Sequence, residues 1–438
     1  MKRLVIPGLL VILFVILFIP FESRAEDVIK KGELLNLDRC IGIALKNHPG
    51  IIAAKNNVSL NQSRTGQAEA NYYPQVNLTA GYRKTSSLTS GAAGSSVPVS
   101  QTSSDVFDQY LSSVSLSQNI YDFGKTPGQV KIQDLNLESS RSDLENISDQ
   151  IAFNVRQAYY GVLQARRNRD VAAETVKQFQ QRLEQAKGFY DVGTKPKFDV
   201  TKAEVDLSNA KLSLIKAENA GRITIVNLNN TMGIPNAPEY DIEDNLSFQK
   251  YETAFEDALS AAFKNRHDIK SILTKTTAAE NSVELAKKGY YPALTGNASY
   301  NWSGETFPLD HGWNVGATLS FPIFSGFLTK YQVEESRANL DVLKANEELL
   351  RQNVFLDVQQ AYLNLKEAEE RIPAAELTVK QAEENFEIAN GRYTAGVGNP
   401  IEVTDAEVAL SNAKRDYIQA LYDYKIAQAS LGKAMGVR

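Results

Sequence analysis

The chain is poor in the residues that build metal centres: 438 residues contain one cysteine and three histidines, at positions 48, 267 and 311. A lone Cys40 excludes an intramolecular disulfide framework, an iron–sulfur cluster and a cysteine-rich zinc site, and three scattered histidines leave little for other metals. No cofactor is expected. A basic tract is also lacking, since 47 Lys and Arg stand against 52 Asp and Glu for a net charge of −5. The positive footprint that phosphate backbones require is therefore missing, and nucleic acid is not an expected partner. Past residue 25 there is no long apolar run without charges, hence no spanning helix. The apolar share of 43% nevertheless excludes disorder.

The first 25 residues differ. Met1-Lys2-Arg3 precedes an apolar run from Leu4 to Pro20, and Ser23-Arg24-Ala25 places small residues where a signal peptidase cuts. Residues 1–25 read as a cleaved export signal; the alternative, a retained anchor, meets the objection that the run is short for a spanning helix. Losing the leader removes three basic residues and one acidic one, which leaves a charge of −7. Cys40 does not sit in the small-residue context of a lipidated cysteine and reads as an inert buried thiol. An exported chain without a spanning helix can cross a membrane only as β-strands.

Self-similarity organises the rest. Ala44-Leu-Lys-Asn recurs as Ala262-Phe-Lys-Asn and Tyr72-Tyr73-Pro74 as Tyr290-Tyr291-Pro292, both 218 residues on. From residue 115 the offset is 203: Gln157-Ala-Tyr matches Gln360-Ala-Tyr, and Met232-Gly233 matches Met435-Gly436. The difference falls in the Ser/Thr/Gly-rich segment from Thr85 to Ser104, read as a loop. The chain thus divides into the leader 1–25; a first repeat, 26–233, with a β-hairpin over about 75–121 and a long helical hairpin over about 125–232; a connecting segment, 234–254; and a second repeat, 255–438, with a β-hairpin over about 293–324 and a helical hairpin over about 328–436.

Each repeat opens with a short helix broken at Asn47-His48-Pro49, or its counterpart, and a second helix that ends at Tyr-Tyr-Pro. After the β section, Leu144, Ile147, Ile151, Ala158, Val162 and Ala165 recur at three- and four-residue steps, as do Leu350, Val354, Ala361 and Leu365. That spacing is a coiled-coil seam, and sixty-odd helical residues make a rod of roughly 90 Å. Pro373 has no counterpart in the first repeat and predicts a kink or break. In the β sections, Val76, Leu78, Ala80 and Tyr82 alternate with small polar residues, and so do three further segments, the last two through Leu294, Ala298, Tyr300, Trp302 and through Trp313, Val315, Ala317, Leu319. Period two fits half-buried strands or barrel strands that face lipid outside and water inside. Strands of about ten residues, apolar rows ending in Tyr82, Tyr300, Trp302 and Trp313 as an interfacial girdle, and export favour the barrel. Four strands cannot close one, so the chain must oligomerise: two copies give eight strands around a filled interior, three give twelve around an aqueous lumen.

The chain resembles the TolC-type outer-membrane channel family. The resemblance rests on Ala44-Leu-Lys-Asn-His-Pro49, Tyr73-Pro74, Ile120-Tyr121-Asp122-Phe123-Gly124, Tyr190-x-x-Gly193 with Asp199-Val200, and Tyr393-x-x-Gly396 with Glu402-Val403-x-Asp405-Ala406. It implies a mainly α, mixed fold that forms a homotrimer, with a twelve-stranded barrel in outer-membrane lipid continued by a twelve-helix periplasmic α-barrel. It also implies partners: a periplasmic membrane-fusion adaptor and an inner-membrane transporter of the RND, ABC or MFS class, serving efflux or type I secretion. With the chain ending at Arg438, an equatorial collar would come from residues 234–254 and the chain ends.

By the same resemblance, Glu402, Asp405 and Asp199 lie at the periplasmic entrance. Three copies would bring six carboxylates from Glu402 and Asp405 to a constriction; at about 6 Å two such charges repel by roughly 0.7 kcal/mol in water and about 3 kcal/mol at a dielectric of 20. Spacing alone also fits ordinary first-turn acids that satisfy the helix dipole. In the first repeat Lys202 stands at the matching step and can neutralise Asp199. Tyr190 and Tyr393 are expected to hydrogen-bond near the gate. Gly193-Thr194-Lys195-Pro196 and Gly396-Val397-Gly398-Asn399 would form the tips and the adaptor contact, although turn chemistry accounts for their Gly and Pro equally. Where some relatives carry a basic residue this chain has Gly398 and Asn399, so that latch would fall to Lys195 or Lys197. Gly124-Lys125-Thr126 imitates a phosphate loop but has Asn119 where a glycine belongs. No nucleophile–base spacing suggests catalysis. The rival readings are a stand-alone diffusion pore and a soluble periplasmic coiled-coil scaffold.

Overall fold

The computed structural model describes residues 29–88 and 104–437. The export signal and residues 89–103 of the Ser/Thr/Gly-rich segment lie outside them. In chain order the elements are β1 (Leu34–Leu35), α1 (Leu37–Asn47), α2 (Pro49–Glu69), β2 (Gln75–Leu88), β3 (Ser104–Tyr121), α3 (Lys125–Asp191), α4 (Lys197–Thr231), β4 (Asp241–Ile242), α5 (Phe255–Asn265), α6 (His267–Lys287), β5 (Ala293–Gly304), β6 (Asp310–Ser320), α7 (Leu328–Thr394) and α8 (Pro400–Ala434). The two offsets reappear in this order. α1 and α2 return as α5 and α6 after 218 residues, and α3 and α4 return as α7 and α8 after 203.

α3 and α7 are each 67 residues long, rods of about 100 Å at 1.5 Å per residue. α7 runs unbroken through Pro373, against the expected break. The proline sits at an exposed position, so water can satisfy the carbonyl that its missing N–H leaves free. The helices form a wall one layer thick. α4 packs on α3, α3 on α8 and α8 on α7, while farther along the rods α2 packs on α3 and α6 lies between α3 and α7. Shorter helices thus meet end to end beside the continuous rods. At these joints Gly233, just past α4, faces the α1–α2 junction, where a Cβ would lie 2.7 Å from His48 Cα; Gly436, just past α8, faces Arg266, with a Cβ 2.8 Å from its backbone nitrogen. Both have positive φ, 75° and 69°, so glycine is required twice over at each joint.

The main apolar core lies at mid-height, where Tyr159, Leu163, Leu228, Val354, Val358, Leu365, Tyr424 and Leu431 are buried together with α1 and α5. Of the seam read from the sequence, Ile151, Val162, Ala165, Val354, Ala361 and Leu365 are buried. The connecting segment straps this level. β1 and β4 pair in parallel, Leu34 opposite Asp241; Tyr159 donates to the Glu243 carbonyl and Tyr424 to the Gln249 carbonyl, both at 2.6 Å. Cys40 is fully buried here, and burial pushes its thiol up to about 12.

The four long strands form one antiparallel sheet in the order β2-β3-β5-β6. β2 and β3, at 14 and 18 residues, run into the segment read as loop and exceed the expected ten; β5 and β6 have 12 and 11. Opposed residues share a face, and the register sets Leu78 opposite Val114, Val114 opposite Tyr300 and Tyr300 opposite Trp313. All four apolar rows therefore lie on one side. The other side is a polar ladder: Thr79 bonds Ser113 at 2.7 Å, and Asn301 and Asn314 both donate to Ser299 at 2.9 Å. Among the described residues of one chain both edges, β2 and β6, remain open.

Candidate functional site at the hairpin tips and the sheet

Each helical hairpin reverses through a left-handed glycine, Gly193 at φ 74° and Gly396 at φ 80°. The carbonyl of Phe189 accepts from Thr194 N–H at 2.9 Å, and that of Arg392 accepts from Val397 and Gly398 at 3.1 and 2.9 Å. Gly398 is fixed by space, since a Cβ there would lie 2.7 Å from the Tyr393 nitrogen. No basic side chain could occupy that position. Pro196 precedes α4, while Asn399 caps α8 by accepting from Ile401 N–H at 2.9 Å.

Basic groups reach the tip from elsewhere. Tyr393 is buried beneath α8, and its ring meets the Arg182 guanidinium at 4.7 Å and Lys195 Nζ at 5.3 Å. Its hydroxyl lies 3.4 Å from Asp199 Oδ2. Burial raises the Tyr393 phenol above its ordinary value, with the Asp199 charge adding to the rise. Asp199 is 5% exposed, so it sits in the contact between the hairpins and apart from the open face of α8. Lys202 does not neutralise it: that ammonium bonds Asp206, one turn on, whose other oxygen accepts from Thr404 at 2.9 Å. Arg182 also donates to the Pro400 carbonyl at 2.9 Å. Four elements thus converge on this contact.

Glu402 and Asp405 occupy the exposed face of α8, opposite the buried stripe of Val403, Ala406 and Leu410. Glu402 lies 3.7 Å from Arg392, both about half exposed, a pair worth roughly 0–1 kcal/mol. Tyr190 is exposed and takes no part in the Tyr393 cluster. Sequence reasoning missed Arg182 and Glu407. Glu407 is buried at 4% exposure in the same seam, and burial, together with nearby Glu174, pushes its carboxyl up to about 7. The signal that could have found Glu407 is an acid on the buried stripe of α8.

The expected aromatics line one end of the sheet. Tyr82 pairs with Tyr110, ring centroids 5.3 Å apart, Tyr300 packs on Trp302 at 4.6 Å, and Trp313 is 74% exposed. A second aromatic belt, not foreseen, marks the other end, where Tyr73, Tyr121, Phe123, Tyr291, Phe324 and Phe327 stand exposed. The duplicated Tyr-Tyr-Pro motif was its visible trace. The histidines are structural: His48 caps α2 by accepting from Gly50 N–H at 3.0 Å, His267 meets Asp149 at 2.9 Å, and His311 stacks on Tyr300. Among the described residues no acidic, cysteine and histidine cluster of metal-binding size occurs, and no helix is long and apolar enough to span a membrane.

A sheet apolar on one face and polar on the other, belted at both ends by aromatics and carried on a helical wall, defines an outer-membrane channel subunit. The chain belongs to the outer membrane efflux protein family, which it matches over residues 40–234 and 258–437. It is 21% identical to outer membrane protein TolC of Vibrio cholerae, over 83% of this chain and 82% of that one. It is also 21% identical to the pyoverdine export outer membrane protein OpmQ of Pseudomonas aeruginosa, over 91% and 85%. The crystal structure of the Campylobacter jejuni CmeC outer membrane channel shares the fold, with a TM-score of 0.77 at 18% identity over 91% of this chain and 85% of that one. The protein is accordingly an outer-membrane efflux channel component and not an enzyme.

Proposed function

We propose that three copies of this chain close into a passive exit duct for efflux or type I secretion. Its twelve strands cross the outer membrane and its twelve-helix tunnel crosses the periplasm. The single observation that supports this is that sheet and wall are both left open. The sheet ends in unpaired β2 and β6, and the wall ends in α4 and α7. The free helix faces carry exposed apolar rows at seven-residue steps, Val342, Leu349, Leu356 and Leu363 on α7 and Val205 and Leu212, with Val226, on α4. Heptad rows facing water are coiled-coil seams awaiting a partner, and open strand edges are not tolerated in lipid. Joining α4 to the next copy's α7 and β2 to its β6 satisfies both. Two copies would give eight strands and a filled interior, whereas the Ser, Asn, Thr and Gly face suits the water-lined lumen of twelve.

The hairpin tips then form the periplasmic entrance and dock the adaptor, which joins the duct to an inner-membrane transporter of the RND, ABC or MFS class. Six carboxylates from Glu402 and Asp405 attract cations there, and the Tyr393–Asp199–Arg182 contact holds the hairpins together. The test is single-channel conductance of the detergent-extracted protein in a planar bilayer, with trivalent cation added to either side. A small cation-selective conductance, blocked from one side and released by Glu402→Ala with Asp405→Ala, is expected. A large unblocked current means a stand-alone pore, and recovery of the protein in the soluble fraction means a scaffold.

A further inference from the structure

Glu407 enters none of this chemistry, yet it lies in the seam on which the entrance depends. It sits on α8 one turn beyond Thr404, only 4% exposed, and its Oε2 meets no hydrogen-bond donor among the described residues. It lines a cavity of about 240 Å³ together with Gln178, Arg182 and Gln185 of α3 and Phe386 and Asn390 of α7. A carboxylate this deep, with one oxygen left without a donor, is costly when ionised.

The surrounding charges do not relieve it. On α8 itself Lys414 is already shared, 3.2 Å from Glu174 of α3 and 3.6 Å from Glu383 of α7. Arg182 of α3 is engaged by the Pro400 carbonyl and the Tyr393 ring. From α4, Asp206 and Asp199 add further acids, the first already matched by Lys202 and the second set against the Tyr393 hydroxyl at 3.4 Å. The seam therefore holds more carboxylates than cations. Burial first, then Glu174, pushes the Glu407 carboxyl up to about 7, with Lys414 and Arg182 offsetting only part of the rise.

We propose that Glu407 is a proton-operated wedge between the two hairpins: neutral, it lets α8 lie against α3, and ionised, it drives them apart and loosens the tips. This rests on reading the tips as the entrance. The wedge engages as the carboxyl loses its proton, around neutral pH.

The seam can be read without ion flow. Gln185 of α3 donates to Thr394 Oγ1 of α7 at 3.2 Å, so the pair Gln185→Cys with Thr394→Cys reports whether the hairpins touch. The native Cys40, buried and held protonated, does not compete. With a fixed excess of diamide as the two-electron oxidant, disulfide formation is compared between this pair alone and the pair carrying Glu407→Gln, each rate being divided by the thiolate fraction measured by alkylation, because position 185 shares the Glu407 cavity and an ionised carboxylate there suppresses the thiolate. Equal rates at pH 6 and a several-fold slower reaction at pH 8 when Glu407 is present are expected, and Glu174→Gln should move the midpoint to lower pH. Equal rates at every pH overturn the proposal, as does a midpoint that Glu174→Gln leaves in place. Conductance recorded in parallel separates the two readings. A pH step in crosslinking without channel activity keeps the wedge and refutes the duct, whereas a conducting channel with flat crosslinking refutes the wedge alone.

Discussion

Replacing Gly233 with alanine tests whether the short helices are locked end to end. The added Cβ would lie 2.7 Å from His48 Cα and 2.9 Å from both Asn47 O and His48 N, all backbone atoms, so no side chain can swing aside. Ordinary contact begins at 3.4 Å, and the joint must open by the difference, about 0.7 Å. Alanine at φ 75° costs about 1–2 kcal/mol on its own, and forced overpacking adds about 1–3 kcal/mol. Gly32→Ala separates these terms, because Gly32 has nearly the same φ, 77°, and nothing within 4 Å of its Cβ. Thermal unfolding of the detergent-extracted protein, followed by far-ultraviolet circular dichroism, should show Gly233→Ala destabilised by about 1–3 kcal/mol more than Gly32→Ala. Gly436→Ala should match Gly233→Ala. Equal losses for Gly233→Ala and Gly32→Ala would refute the end-to-end joint.

Tyr393→Phe removes a long hydrogen bond to buried Asp199, worth about 0.5–1.5 kcal/mol, and should raise resting conductance without changing expression; an unchanged current argues against this contact as a tie. Glu402→Gln with Asp405→Asn should shift the reversal potential in a salt gradient toward zero, and unaltered selectivity would remove these acids from the constriction. Leu356→Glu places a charge in the exposed α7 row and should shift the extracted protein to smaller species in size-exclusion chromatography, whereas an unaltered profile would exclude this row from the interface. Glu407 has a raised carboxyl, so its stabilising share is whole below the ordinary carboxylate range and is lost as pH rises through about 7. The melting temperature of the native protein should therefore fall between pH 5 and 8 relative to Glu407→Gln, and parallel curves would contradict its burial.

Much of the architecture was already legible in local pattern. Offsets of 218 and 203 anticipated the paired helices, and period two in Leu78, Val114, Tyr300 and Trp313 anticipated one apolar sheet face, because side-chain direction follows from backbone geometry alone. Pairing and register lie beyond that, since they join residues far apart in the chain: Val114 to Tyr300, or Arg182 to Tyr393. Gly398 shows the gap most plainly. Its sequence position suggested a missing basic latch, while the folded turn leaves no room for any side chain and the chain brings Arg182 and Lys195 to the same ring from α3 and the first tip. Lys202 was misassigned to Asp199 for a related reason: Asp199, Lys202 and Asp206 share one helix face at three- and four-residue steps, so spacing leaves two acids within reach of the ammonium, and in the fold it bonds Asp206.

By itself, then, the sequence determined the repeat, the rods, the period-two alternation and the family, all of which rest on periodicity and order along the chain. Only the tertiary structure decided which groups are deprived of water. Asp199 and Glu407 are ordinary helical acids in the sequence; burial against α3 and α7 makes one a tie and leaves the other a desolvated carboxyl that resists ionisation, because desolvation depends on what packs above a residue and not on what precedes it.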